Sequence, residues 1–349
     1  MNRPDRVGRT RRGSARAVGL LAVAMVTLLT AGCGLFGGSE SEGSSDTSSN
    51  AADGPLETKD VKFGVMPTID AAGAQLALLN DAFKDEGLNV KAETLQSGAF
   101  AIPKLQSGEL DIAFGNWVSF IQAQQQKAVD LRFIGEAYLS TPNSNFVVVT
   151  RPDSGINSAK DLVGKKVAVN ALKNINELLL RAVLDANDVN FNDVQMAEMK
   201  FPDMLPALQN GTVDAISVID PFAVQAQKAI GAKVVFDLTG QGTTEDFPLS
   251  GVVTTAKFAK EHPKTIAAFQ RALAKGQQLA AERSNVQAAL PKFAKMDADT
   301  AAIVRFGEYP LAIDAKRVQR VADLLVTYKM LPSKFDVAPL VIKPPAAKN

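Results

Sequence analysis

One nine-residue pattern occurs twice in the chain, 103 residues apart. Residues 103–111 are Pro-Lys-Leu-Gln-Ser-Gly-Glu-Leu-Asp, and residues 206–214 are Pro-Ala-Leu-Gln-Asn-Gly-Thr-Val-Asp. Each copy predicts a helix that ends at a glycine, followed by an aspartate that enters a strand. At the same offset, Met66 at the end of the first predicted strand corresponds to Val169 in the second set. The chain is therefore predicted to form two similar lobes.

Short β-rich runs alternate with helical patterns around these copies. Strands are predicted at residues 61–66, 89–95, 111–115, 131–135, 147–149, 166–170, 194–199, 215–219 and 234–237. Helices are predicted at residues 74–83 and 175–186 from the spacing of their apolar side chains. The alternation predicts an α/β fold with mainly parallel sheets.

Loops at the carboxyl ends of these strands are the expected binding surface, because open parallel sheets bind ligands there. The candidate ligand-binding residues in these loops are Pro67, Thr68, Asp70, Ser97, Gly98, Ala99, Phe100, Asn116, Trp117, Asn170, Asn174, Asn176, Asp220 and Phe222. Two lobes that present such loops to each other would form a cleft.

Several of these candidates also have a purely structural interpretation. Ser97 can simply cap a helix, although a helix start also offers free N–H groups to an anionic or carbonyl ligand atom. Trp117, the single tryptophan, is either a core residue or a stacking wall for the ligand. The three asparagines at positions 170, 174 and 176 favour caps and loops with or without a ligand.

Two aspartates restrict the chemistry of a ligand. An unpaired buried carboxylate is costly, so Asp70 and Asp220 must each pair within the protein or meet a donor on the ligand. If both face the cleft, the ligand carries a cation or several N–H or O–H donors. Lys173 and Lys200 are the only basic residues in these loops. That scarcity is unfavourable for a small dianion such as sulfate, although backbone donors could suffice.

A cationic and apolar leader opens the chain. Six arginines lie within residues 1–16, and residues 17–29 form an apolar run too short to span a bilayer comfortably. Small residues then precede Cys33, the single cysteine. Residues 1–32 resemble a bacterial lipoprotein signal peptide, which implies that Cys33 is acylated and becomes the new N-terminus. An ordinary signal peptide or a buried free cysteine is the alternative, and Arg11-Arg12 leave twin-arginine export open beside Sec export.

The composition after the leader excludes several classes of function. Residues 33–57 predict a flexible acidic Gly/Ser linker with almost nothing to bury. Loss of residues 1–32 leaves 32 basic and 36 acidic side chains, a net charge of −4 without a basic block for nucleic acid. With Cys33 modified, no thiol is left for a disulfide, a zinc site or a nucleophile. Lipid on Cys33 is the expected membrane anchor, and firm attachment needs several acyl chains.

Five stretches in a fixed order resemble the solute-binding subunits of ABC importers. They are residues 65–70, 83–88, 105–113, 158–169 and 207–215, within a resemblance that covers roughly residues 60–335. The similarity is to the nitrate/sulfonate/taurine (SsuA-like) and thiamine-pyrimidine-precursor (NMT1/THI5-like) group.

That resemblance implies a type II periplasmic-binding-protein fold. Its first lobe would contain residues 58–145 and 249–342, its second lobe residues 146–248, and residues 343–349 would form a tail. A two-segment hinge is expected near Asn145-Phe146 and Ser250-Gly251. Helices at residues 263–283 and 315–328 would pack on the first lobe.

The resemblance implies capture of a small polar or heteroaromatic solute, such as a sulfonate, an amine or a pyrimidine-like compound. A monomer on the extracytoplasmic face of the cell membrane would deliver it to permease and ATPase subunits, without a cofactor or metal. A sensor of the same fold is an alternative. A pyrimidine-precursor enzyme is a weaker one, because the chain lacks the family's catalytic histidine and cysteine-rich segment. The single histidine, His262, is predicted at a helix entry.

Overall fold

The computed structural model describes residues 54–142, 146–240 and 242–344. Its strands are β1 (Asp60–Val65), β2 (Asn89–Thr94), β3 (Ile112–Asn116), β4 (Leu131–Ser140), β5 (Phe146–Thr150), β6 (Lys166–Val169), β7 (Gln195–Glu198), β8 (Ala215–Ile219), β9 (Lys233–Asp237) and β10 (Phe247–Thr255). Its helices are α1 (Ala72–Leu79), α2 (Ala82–Asp85), α3 (Ala101–Ser107), α4 (Trp117–Gln125), α5 (Ile175–Ala186), α6 (Phe201–Gln209), α7 (Phe222–Ile230), α8 (Ala256–Glu261), α9 (Pro263–Ala281), α10 (Arg283–Phe293), α11 (Ala298–Ile303) and α12 (Ala315–Thr327).

The strands form two five-stranded sheets with the same arrangement. The order is β2-β1-β3-β10-β4 in one sheet, which with its helices we call lobe A, and β7-β6-β8-β5-β9 in the other, lobe B. In each sheet one strand, β10 or β5, runs antiparallel to both of its neighbours, and the other four strands point the same way. The predicted α/β class with mainly parallel sheets is confirmed.

The central strands β5 and β8 are mainly apolar, as is typical of strands buried on both faces of a sheet. In β5 every residue from Phe146 to Thr150 is buried, and the same holds for β8. The edge strand β2 is mostly exposed and carries polar side chains at most of its positions. Position at a sheet edge does not by itself decide burial, because the other edge strand of that sheet, β4, is almost completely buried.

The repeated aspartate has the same role in both lobes. Asp111 Oδ2 accepts a hydrogen bond from the Lys62 backbone nitrogen, and Asp214 Oδ2 accepts one from Lys166, at 2.8 Å in both cases. Asp111 thereby links the start of β3 to β1, and Asp214 links the start of β8 to β6. The two lysines are 104 residues apart, one more than the aspartates. The equivalent of Val169 is accordingly Val65, not Met66.

Two chain segments connect the lobes. The first lies between the end of β4 at Ser140 and the start of β5 at Phe146, and the second between Asp237 and Phe247. Ser250 and Gly251 lie inside β10, where its pairing with β4 shifts register. The second crossing therefore precedes the position expected from sequence. Asn145 lies outside the described residues.

The predicted signal peptide, Cys33 and most of the linker also lie outside the described residues. Glu57, at the end of the predicted linker, accepts hydrogen bonds from the backbone nitrogens of Lys264 and Thr265 at 3.1 and 3.0 Å. These contacts attach the start of lobe A to the first turn of α9. Within the described ranges, no helix combines the length and the apolar character needed to cross a membrane.

Hydrogen bonds join the lobes where their strand ends face each other. The Ile69 backbone nitrogen donates to the Asp220 carbonyl at 3.4 Å. Asn174 Nδ2, in lobe B, donates to Ser119 Oγ, in lobe A, at 3.0 Å, and both residues are buried. The structure therefore shows the two lobes in a closed arrangement.

The carboxylate of Asp220 takes part in the same contact. Its Oδ1 accepts from the Val224 nitrogen and its Oδ2 from the Arg305 nitrogen, each at 3.2 Å. Burial raises the pKa of Asp220 to about 6, although these two donors and the Arg305 charge partly offset the rise. Both carboxylate oxygens of Asp220 therefore have a hydrogen-bond donor within the protein.

We predict that Asp220→Asn removes part of the pH dependence of stability. The native pKa lies above the ordinary value of 3.8, so the folded state holds the proton more tightly than the unfolded state. The free energy of unfolding contributed by this group therefore falls by about 3 kcal/mol as pH rises from about 4 to above 6. Denaturant unfolding of wild type and variant at pH 4, 5, 6 and 7 measures the difference.

The exposed Asp299 provides a control, because Asp299→Asn removes the same charge at the surface of α11. This variant should keep the wild-type pH profile. Parallel profiles for wild type and Asp220→Asn would contradict the prediction.

Candidate functional site

A small cavity lies between the lobes at the carboxyl ends of their parallel strands. Its volume is about 30 Å³, far below the roughly 300–1,000 Å³ of typical small-molecule pockets. Lobe A contributes Met66, Thr68, Asp70, Asn116 and Leu249, and lobe B contributes Phe146, Asn170, Ile175, Asn176, Phe201 and Ile219. A solute larger than water can enter only if the lobes separate or the lining side chains move.

The ends of β1 and β6 place the polar residues of this cavity. After β1, a 3₁₀ turn at Ile69–Ala71 follows Thr68 and contains Asp70. In lobe B, Asn170 directly follows β6, and Asn176 lies in the first turn of α5. Equivalent strand ends of the two lobes therefore deliver polar side chains to the same space.

Four buried oxygen atoms on the cavity wall have no hydrogen-bond partner among the described residues. They are Thr68 Oγ1, Asp70 Oδ1, Asn170 Oδ1 and Asn176 Oδ1. Each such group costs roughly 1–3 kcal/mol when it is left unpaired, and native structures contain few of them. Their concentration around one cavity indicates a place for a polar ligand.

Contacts with β8 determine which end of the Asn176 amide is unpaired. The fully buried Asn176 donates from Nδ2 to the Ser217 carbonyl at 2.8 Å and to Ser217 Oγ at 2.9 Å. A carbonyl can only accept, so the amide nitrogen must face it. The oxygen of Asn176 is therefore the atom left without a partner.

Asp70 is the acidic group of the cavity. Burial raises the pKa of its carboxyl. The hydroxyls of Thr68 and Ser250 lie close enough to offset part of that rise, although neither has the geometry of a hydrogen bond to it. A donor or a cation placed beside Asp70 would favour the ionised form and lower the pKa again.

Apolar side chains form the remaining walls. Phe201 stacks on Phe222, with ring centroids 5.0 Å apart and an interplanar angle of 18°. Phe222 does not itself line the cavity but supports Phe201, which does. The site therefore combines unpaired polar atoms with aromatic and aliphatic surface, as small-molecule sites usually do.

Trp117 packs in the core of lobe A and does not line the cavity. Its ring centroid is 4.9 Å from that of Phe133 and 6.3 Å from that of Phe120. A Cβ built on Gly251 would approach Trp117 Cζ2 to 2.0 Å. Glycine at position 251 thus leaves the space that the indole occupies. Of the two interpretations of Trp117, this geometry agrees with a core residue.

Three polar candidates act as helix caps. Asn116 Oδ1 accepts from the Ser119 nitrogen at 3.0 Å, and Asn116 also lines the cavity. Asn174 Oδ1 accepts from the Ile175 nitrogen at 2.7 Å. Asp220 precedes Pro221, the N-cap of α7, and its bond from the Val224 nitrogen, described above, pairs an N–H of the first turn. Asn174 and Asp220 lie beside the cavity in the lobe contact and are absent from its wall.

The loop at residues 97–100 lies against the end of β3. A Cβ on Gly98 would be 2.9 Å from the Gly115 Cα, so glycine permits this close backbone approach. Ser97 is buried with an unpaired Oγ, whereas Ala99 and Phe100 are exposed. None of these residues lines the cavity, and neither does the half-buried Pro67. Ligand contact by this loop and by Pro67 stays a prediction.

Sequence analysis did not select Phe146 or Leu249, although both line the cavity. They belong to the antiparallel strands β5 and β10, near their amino ends. A search restricted to carboxyl ends of strands overlooks them. Phe201 was within a recognised strand-end loop, and its aromatic ring was the available signal.

Two other features lie away from the cavity. An open groove of about 500 Å³, bounded by Gly108, Asp130 and Lys257 among others, lies at the opposite edge of the lobe A sheet. His262 stacks on Phe258, with centroids 4.3 Å apart, at the start of α9. No cluster of metal-ligating side chains occurs in the part of the chain that the structure describes.

Comparison with known proteins identifies relatives with this architecture. The model of the family "NMT1/THI5 like" matches residues 69–285, more than half of the chain. A Bacillus subtilis (strain 168) protein named "Putative aliphatic sulfonates-binding protein" is 28% identical over 254 residues, which cover 72% of this chain and 70% of that protein.

Solved structures show the same fold. The periplasmic aliphatic sulphonate binding protein SsuA from Escherichia coli gives a TM-score of 0.67 at 21% identity, covering 81% of this chain and 97% of that one. The alkanesulfonate-binding protein SsuA from Xanthomonas axonopodis pv. citri, bound to MOPS, gives 0.70 at 18% identity, covering 82% and 99%. These relatives are named as binding proteins, which agrees with the prediction from sequence that the chain is not an enzyme. The chain belongs to the NMT1/THI5-like family and has the fold of the periplasmic binding proteins.

Proposed function

We propose that this chain is the solute-binding protein of an ABC importer, anchored by lipid on the extracytoplasmic face of the membrane. It captures a small polar or heteroaromatic solute between its lobes and delivers it to the permease and ATPase subunits. The cavity with four unpaired buried oxygens, at the junction of the lobes, carries this proposal. Family membership and the named function of the relatives support it.

Closure of the lobes is the proposed capture step. The cavity of about 30 Å³ is too small for most solutes to enter without separation of the lobes. The two connecting segments act as the hinge, and lobes A and B correspond to the two lobes proposed from sequence. A solute that pairs with oxygens of both lobes stabilises the closed form, which is the form presented to the permease.

Acylation of Cys33 is the proposed means of attachment. After loss of residues 1–32, residues 33–57 act as the linker to the folded part, which works as a monomer. The same fold could also serve a sensor. A permease gene and an ATPase gene beside this gene would favour import, and their absence would favour sensing.

Native mass spectrometry of the full chain, purified in detergent, tests the proposed function. One small molecule should remain bound, and adding it back should raise the melting temperature, since a ligand that binds the native state stabilises it. Absence of a bound solute, with no stabilisation by sulfonates, amines, pyrimidines, vitamins or amino acids, would contradict the proposal.

We predict that Thr68→Val separates binding from stability. Valine keeps the shape of threonine but removes the hydroxyl, which is buried and unpaired. The free energy of unfolding should stay unchanged or rise by up to about 1 kcal/mol, while affinity for the recovered solute falls about tenfold. Calorimetric titration and denaturant unfolding measure the two quantities.

Thr254→Val is the matched control. The Thr254 hydroxyl donates to the Asp111 carbonyl at 2.7 Å, away from the cavity. Its loss should reduce stability by about 1 kcal/mol and leave affinity unchanged. If Thr68→Val binds the solute with wild-type affinity, Thr68 does not contribute to the binding site.

Ser119→Ala should shift the free protein towards an open form. The substitution leaves Asn174 Nδ2 unpaired in the closed arrangement only, because water can reach it when the lobes separate. Small-angle X-ray scattering without ligand should give a larger radius of gyration for the variant. The exposed Ser107 allows a control, Ser107→Ala, that should match wild type. Equal radii for all three proteins would show that this bond does not hold the lobes together.

A further inference from the structure

We infer that the cavity receives the positively charged, N–H-bearing end of its solute, and that Asp70 selects this end over an anion. The inference rests on the proposed function and names the solute class for the same site.

The charges around the cavity are unfavourable for an anion. Asp70 is the one ionisable side chain among its described lining residues, which include no lysine, arginine or histidine. Lys173 and Lys200, in the adjacent loops, are exposed. The side chain of Arg305 pairs with Asp237 at 3.2 Å. A sulfonate in this cavity would meet a carboxyl group and no neutralising cation.

Helix starts are the other common anion-binding feature, and three of those beside the cavity already have one backbone N–H paired with a side-chain oxygen of the protein. These oxygens belong to Asn116 at α4, Asn174 at α5 and Asp220 at α7. The start of α6, where Phe201 lines the cavity, has no such side-chain bond. At α5, the buried Glu177 adds a carboxylate in the first turn, and its Oε2 accepts from the Lys173 nitrogen at 2.7 Å. The Glu177 carboxylate therefore lies at the positive end of the α5 dipole, and its Oε1 also pairs with Arg181 at 2.8 Å.

The unpaired atoms of the cavity require donors. Asp70 Oδ1 and Asn176 Oδ1 accept hydrogen bonds, and contacts with Ser217 hold the Asn176 oxygen in place. An ammonium group offers three donors and one positive charge, so it can pair with several of these oxygens at once. Its charge also offsets the cost of burying an ionised Asp70. The rings of Phe146 and Phe201 on the same wall suit the apolar part of such a solute.

A pair of probes with the same alkyl chain and opposite charge tests the inference. Calorimetric titrations of the full chain, purified in detergent, use butylammonium and butane-1-sulfonate at pH 8 and pH 5. At pH 8, butylammonium should bind at least tenfold more tightly than butane-1-sulfonate. Its affinity should be lower at pH 5 than at pH 8. The reason is that the proton competes with the cation for Asp70, whose pKa is raised by burial.

Asp70→Asn identifies the residue responsible. The variant should lose at least tenfold in butylammonium affinity, because hydrogen bonds between charged groups are stronger than neutral ones, and should lose the pH dependence. Asp299→Asn, which removes an exposed charge, should retain both.

Tighter binding of butane-1-sulfonate to wild type would overturn the inference and leave the proposed function supported. Failure of butylammonium to bind wild type would also overturn it, and the mass of the solute retained in native mass spectrometry then decides the proposed function separately. Unchanged affinity in Asp70→Asn would remove Asp70 as the selecting residue.

Discussion

Contact between the strand ends of the two lobes is the constraint on which the binding site depends. The bond from Ile69 to the Asp220 carbonyl and the bond from Asn174 to Ser119 exist only while the lobes are closed. The net contribution of one hydrogen bond to stability is about 1 kcal/mol, so these contacts alone hold the lobes together weakly. In the proposed function, a ligand that pairs with the unpaired oxygens beside these contacts would add to their stabilisation of the closed form, and ligand binding would thereby be coupled to closure.

The repeated sequence and the binding site use different residues. Asp111 and Asp214 occupy equivalent positions and make equivalent contacts to Lys62 and Lys166. These contacts organise strands at the amino-terminal side of each sheet, away from the cavity. The cavity residues at the other edge differ between the lobes. Motifs shared across a fold can therefore identify the family without identifying the ligand.

Position along a strand was enough to select part of the site but not all of it. Thr68, Asp70 and Asn170 follow strand ends and line the cavity, as their position suggested. Trp117 follows a strand end as well, yet its indole turns into the core, where Gly251 leaves space for it. Phe146 was overlooked because it belongs to a strand that runs against the others.

Alternation of apolar strands with helices, together with one duplicated pattern, determined the α/β class, the two similar lobes and the loops in which to look for a ligand. These features are local or periodic, so they can be recognised along the chain itself. Tertiary structure alone decided which loop side chains face the cavity and which remain unpaired. The orientation of the Asn176 amide, in α5, depends on Ser217 in β8, and the position of Trp117 depends on Gly251 in β10. Contacts between residues so distant in sequence exist only after the chain has folded.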